Sequence, residues 1–310
     1  MALSVHNFHD VTMGLPPICV FSDLKSIFPI LFAYSEQTAA LDIIDSGGMP
    51  EIAHGPWFRD NLTDEQQKAL GSVPYMKCPS RRSGVQILTT SNFAGPRGDY
   101  AAVVTKEYQG FNYWHDFCYF ASNGNPDHWG ALRFFCGPFR MAQLTISGTR
   151  TDSSDADGTS QHDFSFVKSW LPQYNMSLWQ DGSSNQLIFG EKFIPSWAVG
   201  CNSPSWDGNN TWDQSYLHVW ASEGVFGATR FVDPTTASYP PLARSPDEAA
   251  VTVETPATSH WGKYGFGSCH PKTVNFALGD GSVRAIMVSV PPEMIYQLSH
   301  VSDGNVVSLP

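Results

Sequence analysis

The histidine at position 270 precedes the Asp280-Gly281 pair by ten residues. A histidine and a carboxylate can work together as a general base and its orienting group, provided that both lie within hydrogen-bond reach. Between them, apolar and polar residues alternate from Val274 to Leu278, which predicts a strand, and Gly-Asp-Gly predicts a tight turn after it. Ten residues of strand span roughly 30 Å. We therefore expect His270 and Asp280 to lie toward opposite ends of a hairpin and to be structural rather than catalytic.

The segment DGSSNQLIFGEK at 181–192 is a second polar stretch, with the residue types of a serine nucleophile site. It has neither the Gly-x-Ser-x-Gly elbow nor the Ser-x-x-Lys spacing that such sites use. Its Asp-Gly pair is typical of a turn, and the Ser-Ser-Asn that follows can satisfy backbone groups around that turn. Glu191 and Lys192 can pair with neighbouring charges. A structural role is favoured here as well, and we expect no enzymatic activity.

The acidic loop DSSDADGTSQHD at 152–163 is the strongest candidate for an ion site. Calcium prefers several oxygen ligands on a flexible loop, although the EF-hand spacing and its terminal Glu are missing here. Acidic surface loops are also commonly solvated without an ion. No motif requires a cofactor, so calcium is the one ion to consider. The candidate ligands are Asp152, Asp155, Asp157 and Asp163.

The aromatic-rich stretch at 108–129 is a candidate binding surface. Exposed Tyr and Trp side chains can stack on sugars or pack against a partner subunit, whereas most aromatics in such a run belong to a core. Asn-x-Ser/Thr sequons occur at Asn61, Asn175 and Asn209. They would be glycosylation sites if the chain is exported, although many such triplets are unused.

The composition limits the classes of partner. The formal net charge is −11 and only 15% of residues are charged, so most of the surface would repel a polyanion, and nucleic acid is not an expected partner. Hydrophobic residues make up 42% of the chain, which is enough for a packed core. The first residues contain neither the pattern of an export signal nor an apolar run long enough to cross a bilayer.

The six cysteines are widely spaced, without a Cys-x-x-Cys pair or a Cys/His run at zinc spacing. We therefore do not expect a thiolate metal site. An even number is compatible with disulfides in an oxidising compartment, although six cysteines permit fifteen pairings. Cys118 with Cys136 is the first pairing to consider, but the sequence selects none.

The pattern of apolar residues predicts one α+β domain over 1–310, helical over 1–70 and β-rich over 71–310. Helices are expected at 2–12, at 24–44 with an interruption near Pro29, and at 62–70, where Thr63 and Gln66 have the capping-box spacing. Long loops at 149–163 and 229–260 indicate insertions. Short β-type runs occur at 85–90, 100–105, 117–121, 131–135, 143–146, 185–194, 216–221, 273–278 and 282–290.

Several segments, in the same order along the chain, resemble a large bacterial family of prepilin-like proteins known for a histidine, nine intervening residues and Asp-Gly. They are HNFHDVTMGLPP, SIFPILFAYSEQTAALDIID, VPYMKCPS, RGDYAAV, WQDGSSNQLIFGEK, GSCHPKTVNFALGDGSVRAI and SDGNVVSLP. Arg81 stands where the family usually has Asp. The matching motif residues are His270, Asp280, Gly281, Asp181, Gly182, Ser184, Asn185, Gly190, Glu191, Lys192, Cys78 and Pro79.

This resemblance implies a pilin-like or pseudopilin-like α+β fold, with short N-terminal helices packed on an antiparallel β-sheet and large loop-rich insertions. It also implies a non-enzymatic structural subunit, extracellular or on the bacterial cell surface, that associates with copies of itself into a filament or surface assembly. Family members have an apolar N-terminal helix that this sequence lacks, so we expect membrane contact only through such a helix.

Two other functions remain open from the sequence. A monomeric cell-surface module could bind glycans through the aromatic loops, and it would show a concave aromatic patch. A hydrolase built on His270 or the 181–192 segment would show a cleft in which titrating groups with shifted pKa values converge. Self-association instead predicts exposed edge strands or termini.

Overall fold

In the computed structural model the chain is described at residues 1–20, 24–46, 55–89, 94–105, 136–146, 167–200, 212–217, 225–232, 241–245, 265–305 and 307. Its helices within these ranges are α1 (Ala2–Thr12), α2 (Ile27–Phe32), α3 (Thr38–Asp45), α4 (Gly55–Asn61), α5 (Asp64–Leu70), α6 (Val225–Ala228) and α7 (Pro292–Ser299). Its strands are β1 (Ile87–Leu88), β2 (Gly95–Pro96), β3 (Tyr100–Thr105), β4 (Gln143–Ile146), β5 (Val167–Leu171), β6 (Leu187–Glu191), β7 (Thr229–Val232), β8 (Thr273–Leu278) and β9 (Val283–Met287).

A five-stranded sheet with the order β7-β3-β6-β8-β9 forms the centre of the fold. The expected α+β class is confirmed, but the expectation of an antiparallel sheet is wrong at one pair, because β3 and β7 run parallel. A parallel pair needs a long crossover, which the chain between Thr105 and Thr229 provides. The predicted insertion at 229–260 is wrong at its start, because residues 229–232 form strand β7 of the central sheet.

The two faces of the sheet are covered by different helices. On one face, Ala102 and Val104 of β3 belong to the same buried cluster as Phe8 of α1, and the rings of Phe28 in α2 and Phe189 in β6 are 5.7 Å apart. On the other face, side chains of β8 and β9 pack with α7; this cluster includes Val274, Phe276, Ile286, Ile295 and Leu298. Along β3 the residues alternate between the two clusters, with Ala101 and Val103 on the face of the second, so the sheet divides the core into two layers.

The N-terminal helices largely follow the local sequence signals. The predicted capping box of α5 is confirmed, because Thr63 Oγ1 accepts from Gln66 N and Gln66 Oε1 accepts from Thr63 N. Pro29 does not interrupt a helix as expected; it lies in the first turn of α2, where its missing N–H is not needed. The break falls instead between α2 and α3, where Glu36 has a φ of 58°.

The remaining strand predictions have mixed outcomes. The predicted β8–β9 hairpin is confirmed, with Asn275 paired to Ala285 at its centre. The predicted strand at 216–221 is wrong at its start, because residues 216 and 217 form bends and only an isolated bridge between Arg97 and Ser215 occurs beside them. β5 lies outside every predicted run, and it pairs with β4. No helix in the described part of the chain is long and apolar enough to span a membrane.

Candidate functional site

The histidine of the motif lies beside the end of β6. β6 ends at Glu191 and β8 begins at Thr273, and because the two strands are antiparallel these ends are neighbours. His270 Nε2 is 3.2 Å from Glu191 Oε1, and Glu191 Oε2 accepts from Asn275 N at 2.7 Å. The Glu191 side chain is 1% exposed, whereas that of His270 is 29% exposed. Glu191 is thus a buried carboxylate shared between the backbone of β8 and an accessible imidazole.

Local hydrogen bonds fix the loop that carries His270. Ser268 Oγ donates to Thr273 O at 2.7 Å and accepts from His270 N at 2.8 Å. Lys272 then adopts a left-handed conformation with a φ of 59°, which turns the chain into β8. The His-Pro step therefore closes a short loop whose imidazole is held at the sheet end.

Two cysteines from distant parts of the sequence meet at this imidazole. Cys78 Sγ is 3.6 Å from His270 Nε2 and 4.0 Å from Cys269 Sγ. Burial raises the pKa of the Cys78 thiol to about 11, and the nearby Cys269 and Glu191 add to that rise. One ligand atom from each of Cys78, Cys269 and His270 lies within 4.8 Å of the other two. The two cysteines, far apart in the sequence, therefore meet in the fold, and the expectation that they form no metal site stays a prediction.

A buried network of charges supports the loop that carries Cys78. Asp99 Oδ2 accepts from Cys78 N at 2.7 Å, while its Oδ1 lies 3.1 Å from Arg81 Nη1 and 2.7 Å from Arg82 Nη2. Arg82 also forms two hydrogen bonds of 2.9 Å with Asp213. Burial alone would raise the pKa of Asp213, but the Arg82 guanidinium outweighs it and holds that pKa below its usual range. These paired charges hold the loop that carries Cys78 and connect it, through Arg82, to Asp213.

Arg81 and Lys192 connect this network to the sheet. Arg81 Nη2 donates to Lys192 O at 2.8 Å and to Gly267 O at 3.1 Å, so Arg81 bridges the end of β6 and the loop before His270. Lys192 is fully buried, and its Nζ donates to Gly227 O at 2.9 Å. Burial, with the Arg230 guanidinium nearby, holds the pKa of Lys192 well below its usual value.

At the other end of β8 the Asp-Gly pair forms the hairpin turn, so His270 and Asp280 lie at opposite ends of the strand as their spacing predicts. Asp280 Oδ1 accepts from Ser282 N at 2.8 Å, and Gly281 has the φ of 87° that a glycine adopts easily. The hydrogen bonds with Ser282 lower the pKa of Asp280. Asp280 N donates to Ser183 O at 3.0 Å, which ties the hairpin to the 181–192 segment.

The start of the 181–192 segment holds the C-terminal region. Asp181 Oδ2 accepts from Asp303 N at 2.8 Å and its Oδ1 accepts from Gly304 N at 3.1 Å. Asn185 Nδ2 donates to Asp181 O at 3.1 Å across the turn, in which Gly182 has a φ of 95°. Both Asp181 oxygens thus have backbone donors, although His300 and Asp303 also place ligand atoms nearby.

Three further motif positions have simple environments. A Cβ on Gly190 would lie 2.5 Å from the Phe276 ring and 2.6 Å from the Phe266 ring, so the packing of β8 requires a glycine there. Pro79 is exposed in the turn after Cys78, and Ser184 is exposed in the short 3-10 turn before β6. All three residues belong to the family motif in the sequence. In the fold, Gly190 allows close packing, whereas Pro79 and Ser184 lie in turns.

Other predicted sites have different outcomes. The candidate calcium ligands Asp152, Asp155, Asp157 and Asp163 lie outside the described residues, as do the 108–129 stretch, Cys118 and Asn209. Asn61 and Asn175 are exposed, so both sequons can be reached, and their use stays a prediction. Asn175 Oδ1 accepts from Ser177 N at 2.9 Å, within its own sequon.

An open groove lies between the end of α1 and the chain after β5. It has a volume of about 530 Å³, and its lining includes Met13, Gln173, Tyr174, Asn175 and Gln180. Arg140 lies over the Tyr174 ring at 5.7 Å from its centroid. The groove combines an aromatic side chain with three amides. The sequence does not predict this groove, because α1 and β5 come together only in the fold.

The family model described as "Protein of unknown function (DUF1559)" matches residues 1–293. No curated protein and no solved structure matches the chain. Since the match spans well over half of the 310 residues, the chain belongs to the DUF1559 family.

Proposed function

We propose that this DUF1559 member is a non-enzymatic, pilin-like structural subunit, extracellular or on the bacterial cell surface, that associates with copies of itself. The observation that carries the proposal is the outer edge of β9. β9 is the last strand of the five-stranded sheet, with β8 on one side and no strand among the described residues on the other. An exposed edge strand is a template for pairing with another chain.

The hydrogen-bond pattern identifies which backbone groups face outward. Val288 N donates to Lys272 O and Leu278 N donates to Ser282 O, so these two pairs are hydrogen-bonded pairs of the hairpin. Because such pairs alternate in an antiparallel ladder, the N–H groups of residues 283, 285 and 287 point away from β8. Three amides on one edge are thus directed toward the space that an added strand would occupy.

The side chains of the same three residues are apolar. Val283 is 67% exposed and Met287 is 50% exposed, with Ala285 between them on the same face, opposite to the buried Ile286. Natural edge strands usually carry charged side chains or Pro that discourage pairing, and on this face there are none. Arg284, the charged residue of β9, lies on the opposite face, so the face of Val283, Ala285 and Met287 favours association over a monomeric state.

A second copy of the chain fits this edge by symmetry. Antiparallel pairing of two β9 strands centred on Ala285 would place Val283 opposite Met287 of the second copy, and Arg284 opposite Ile286, so the two arginines would not face each other. Such a contact is isologous and closes into a dimer. Growth into a filament needs another contact, for which α1 offers Leu3, 71% exposed, and Val11, 72% exposed, at the same-face spacing of eight residues.

Electron microscopy and sedimentation of the purified chain, with calcium and with a chelator, test the proposal. We expect ordered assemblies from the wild type and dispersed particles from Met287→Lys, because the added charge would be buried against the second copy. Leu171→Lys is the matched control: Leu171 is also exposed, at 62%, but lies on β5 outside the central sheet. Wild-type protein that sediments as a monomer in both conditions would refute self-association. Loss of assembly on chelation would implicate the 152–163 loop.

The second candidate is a cell-surface glycan-binding module, and the groove beside Tyr174 favours it. Sugars bind by stacking on aromatic faces and by hydrogen bonds with amides, which Tyr174, Gln173 and Gln180 offer together. This function predicts that a glycan array gives hits that Tyr174→Ala loses and Met287→Lys keeps. The self-association proposal predicts the reverse pattern, with assembly lost only in Met287→Lys.

A further inference from the structure

The geometry points to a binding site for a soft divalent metal ion of the zinc class, formed by the thiolates of Cys78 and Cys269 and the imidazole of His270. These residue types are the common ligands of structural zinc. The set contains three protein ligands, with a fourth position for water or for the Glu191 carboxylate, whose Oε1 is 3.2 Å from His270 Nε2. None of its residues belongs to β9, so it does not depend on the proposed self-association.

Two of the three distances between the ligand atoms are close to those of a tetrahedral site. With zinc–sulfur bonds of about 2.3 Å and zinc–nitrogen bonds of about 2.05 Å, tetrahedral angles separate two sulfurs by about 3.8 Å and sulfur from nitrogen by about 3.6 Å. The structure has 4.0 Å between the two sulfurs and 3.6 Å between Cys78 Sγ and His270 Nε2. Small shifts of the side chains would therefore admit an ion.

The surroundings also suit a metal rather than a simple thiol pair. A disulfide would need the sulfurs at about 2.05 Å, whereas they lie 4.0 Å apart. Two thiolates and a neighbouring carboxylate together favour a dication. Cys78 is buried, while Cys269 and His270 are half-buried, which leaves an entry path on their side.

An ion at this position would join two distant parts of the chain. Cys78 and Cys269 are 191 positions apart, and each sits in a loop beside the central sheet. An ion that binds the folded state and not the unfolded chain stabilises the fold by mass action. We therefore expect a structural site that raises the melting temperature of the protein.

The test uses the full chain, reduced and stripped of metal with a chelator. Zinc is titrated against a chromophoric competitor, and cobalt is used as a spectroscopic substitute that shows thiolate-to-metal charge transfer. We expect one ion per chain and a rise in melting temperature. Cys269→Ser and His270→Gln should each weaken zinc affinity at least about 10-fold. Cys136→Ser, which removes a cysteine elsewhere in the fold, should bind like the wild type.

Three results would overturn the site. One is the absence of zinc binding by the reduced wild type. A second is unchanged zinc affinity in Cys269→Ser while its circular dichroism shows a folded protein. The third is a Cys78–Cys269 disulfide, found by peptide mass spectrometry in protein purified and alkylated without reductant.

Discussion

The histidine end and the Asp-Gly end of β8 belong to one hairpin, but their polar side chains have different partners. At the histidine end, Cys78, Glu191 and Cys269 approach His270 side chain to side chain. At the Asp-Gly end, carboxylates accept from backbone N–H groups, as Asp181 does from residues 303 and 304. A carboxylate whose two oxygens both accept from the backbone, like that of Asp181, indicates a structural role, whereas two thiols and an imidazole that face one another can take an ion. The two ends of the motif therefore differ in the partners of their polar side chains.

Removing Asp99 should give the largest effect, since this carboxylate supports the histidine end. Asp99→Ala would leave the buried Arg81 and Arg82 without a shared partner. We expect the free energy of unfolding to fall by about 3–5 kcal/mol in urea denaturation. Asp60→Ala, which breaks the exposed pair with Arg59, is the control and should cost at most about 1 kcal/mol. Equal losses in the two variants would contradict the importance of the buried network.

The buried amine of Lys192 predicts a pH dependence at the same end. Its folded pKa lies well below 10.5, so between that value and 10.5 the unfolded chain binds a proton that the folded chain does not. Stability from this group therefore rises with pH, by about 1.4 kcal/mol per pH unit inside that window. Urea denaturation of wild type and Lys192→Met across pH 7–10 checks it: the difference should shift toward the wild type as pH rises. A difference that stays constant would show that Lys192 is charged when folded.

At the Asp-Gly end, Asp181→Ala tests the backbone clamp. It leaves the N–H groups of Asp303 and Gly304 without their acceptor, and we expect a loss of about 1–3 kcal/mol in the free energy of unfolding. Amide hydrogen exchange should accelerate at these two residues. Zinc affinity should not change, since the clamp lies away from His270. A variant that lost zinc instead would show that the two ends are not separate.

The smallest effect is expected at the link between α1 and the hairpin turn. His6 Nε2 lies 2.8 Å from Gly279 O, so the imidazole donates to that carbonyl. His6→Ala should cost about 0.5–1.5 kcal/mol in thermal or urea denaturation. His9→Ala is the control, as His9 contacts only the neighbouring Asp10 among the ion pairs of the described residues, and should change stability by less than about 0.5 kcal/mol. If both variants behave alike, the turn is held without His6.

The sequence predicted the parts of the fold that depend on neighbouring residues. The alternation before Asp280 gave the β8–β9 hairpin, and Thr63 with Gln66 gave the capping box of α5. It failed where distant segments decide the outcome. The sequence predicts a loop where β7 lies, because these four residues become a strand only beside β3, which is far away in the chain.

The candidate site shows the same limit. Spacing correctly separated His270 from Asp280, but it gave no reason to place Cys78 beside Cys269, because local metal motifs need ligands close together in sequence. The adjacency of Cys269 and His270 was the one available signal. Which segments meet at a sheet end is fixed by strand order, and single-sequence patterns do not determine strand order.

The most direct test of self-association is amide hydrogen exchange read at single residues of β9 by NMR, at low and high protein concentration. Pairing at the β9 edge predicts that the amides of Val283, Ala285 and Met287 gain protection as concentration rises. Those of Arg284 and Ile286, already bonded to β8, should change little. Unchanged exchange at all three outward amides, while sedimentation detects assemblies, would contradict the β9 edge as the contact between subunits.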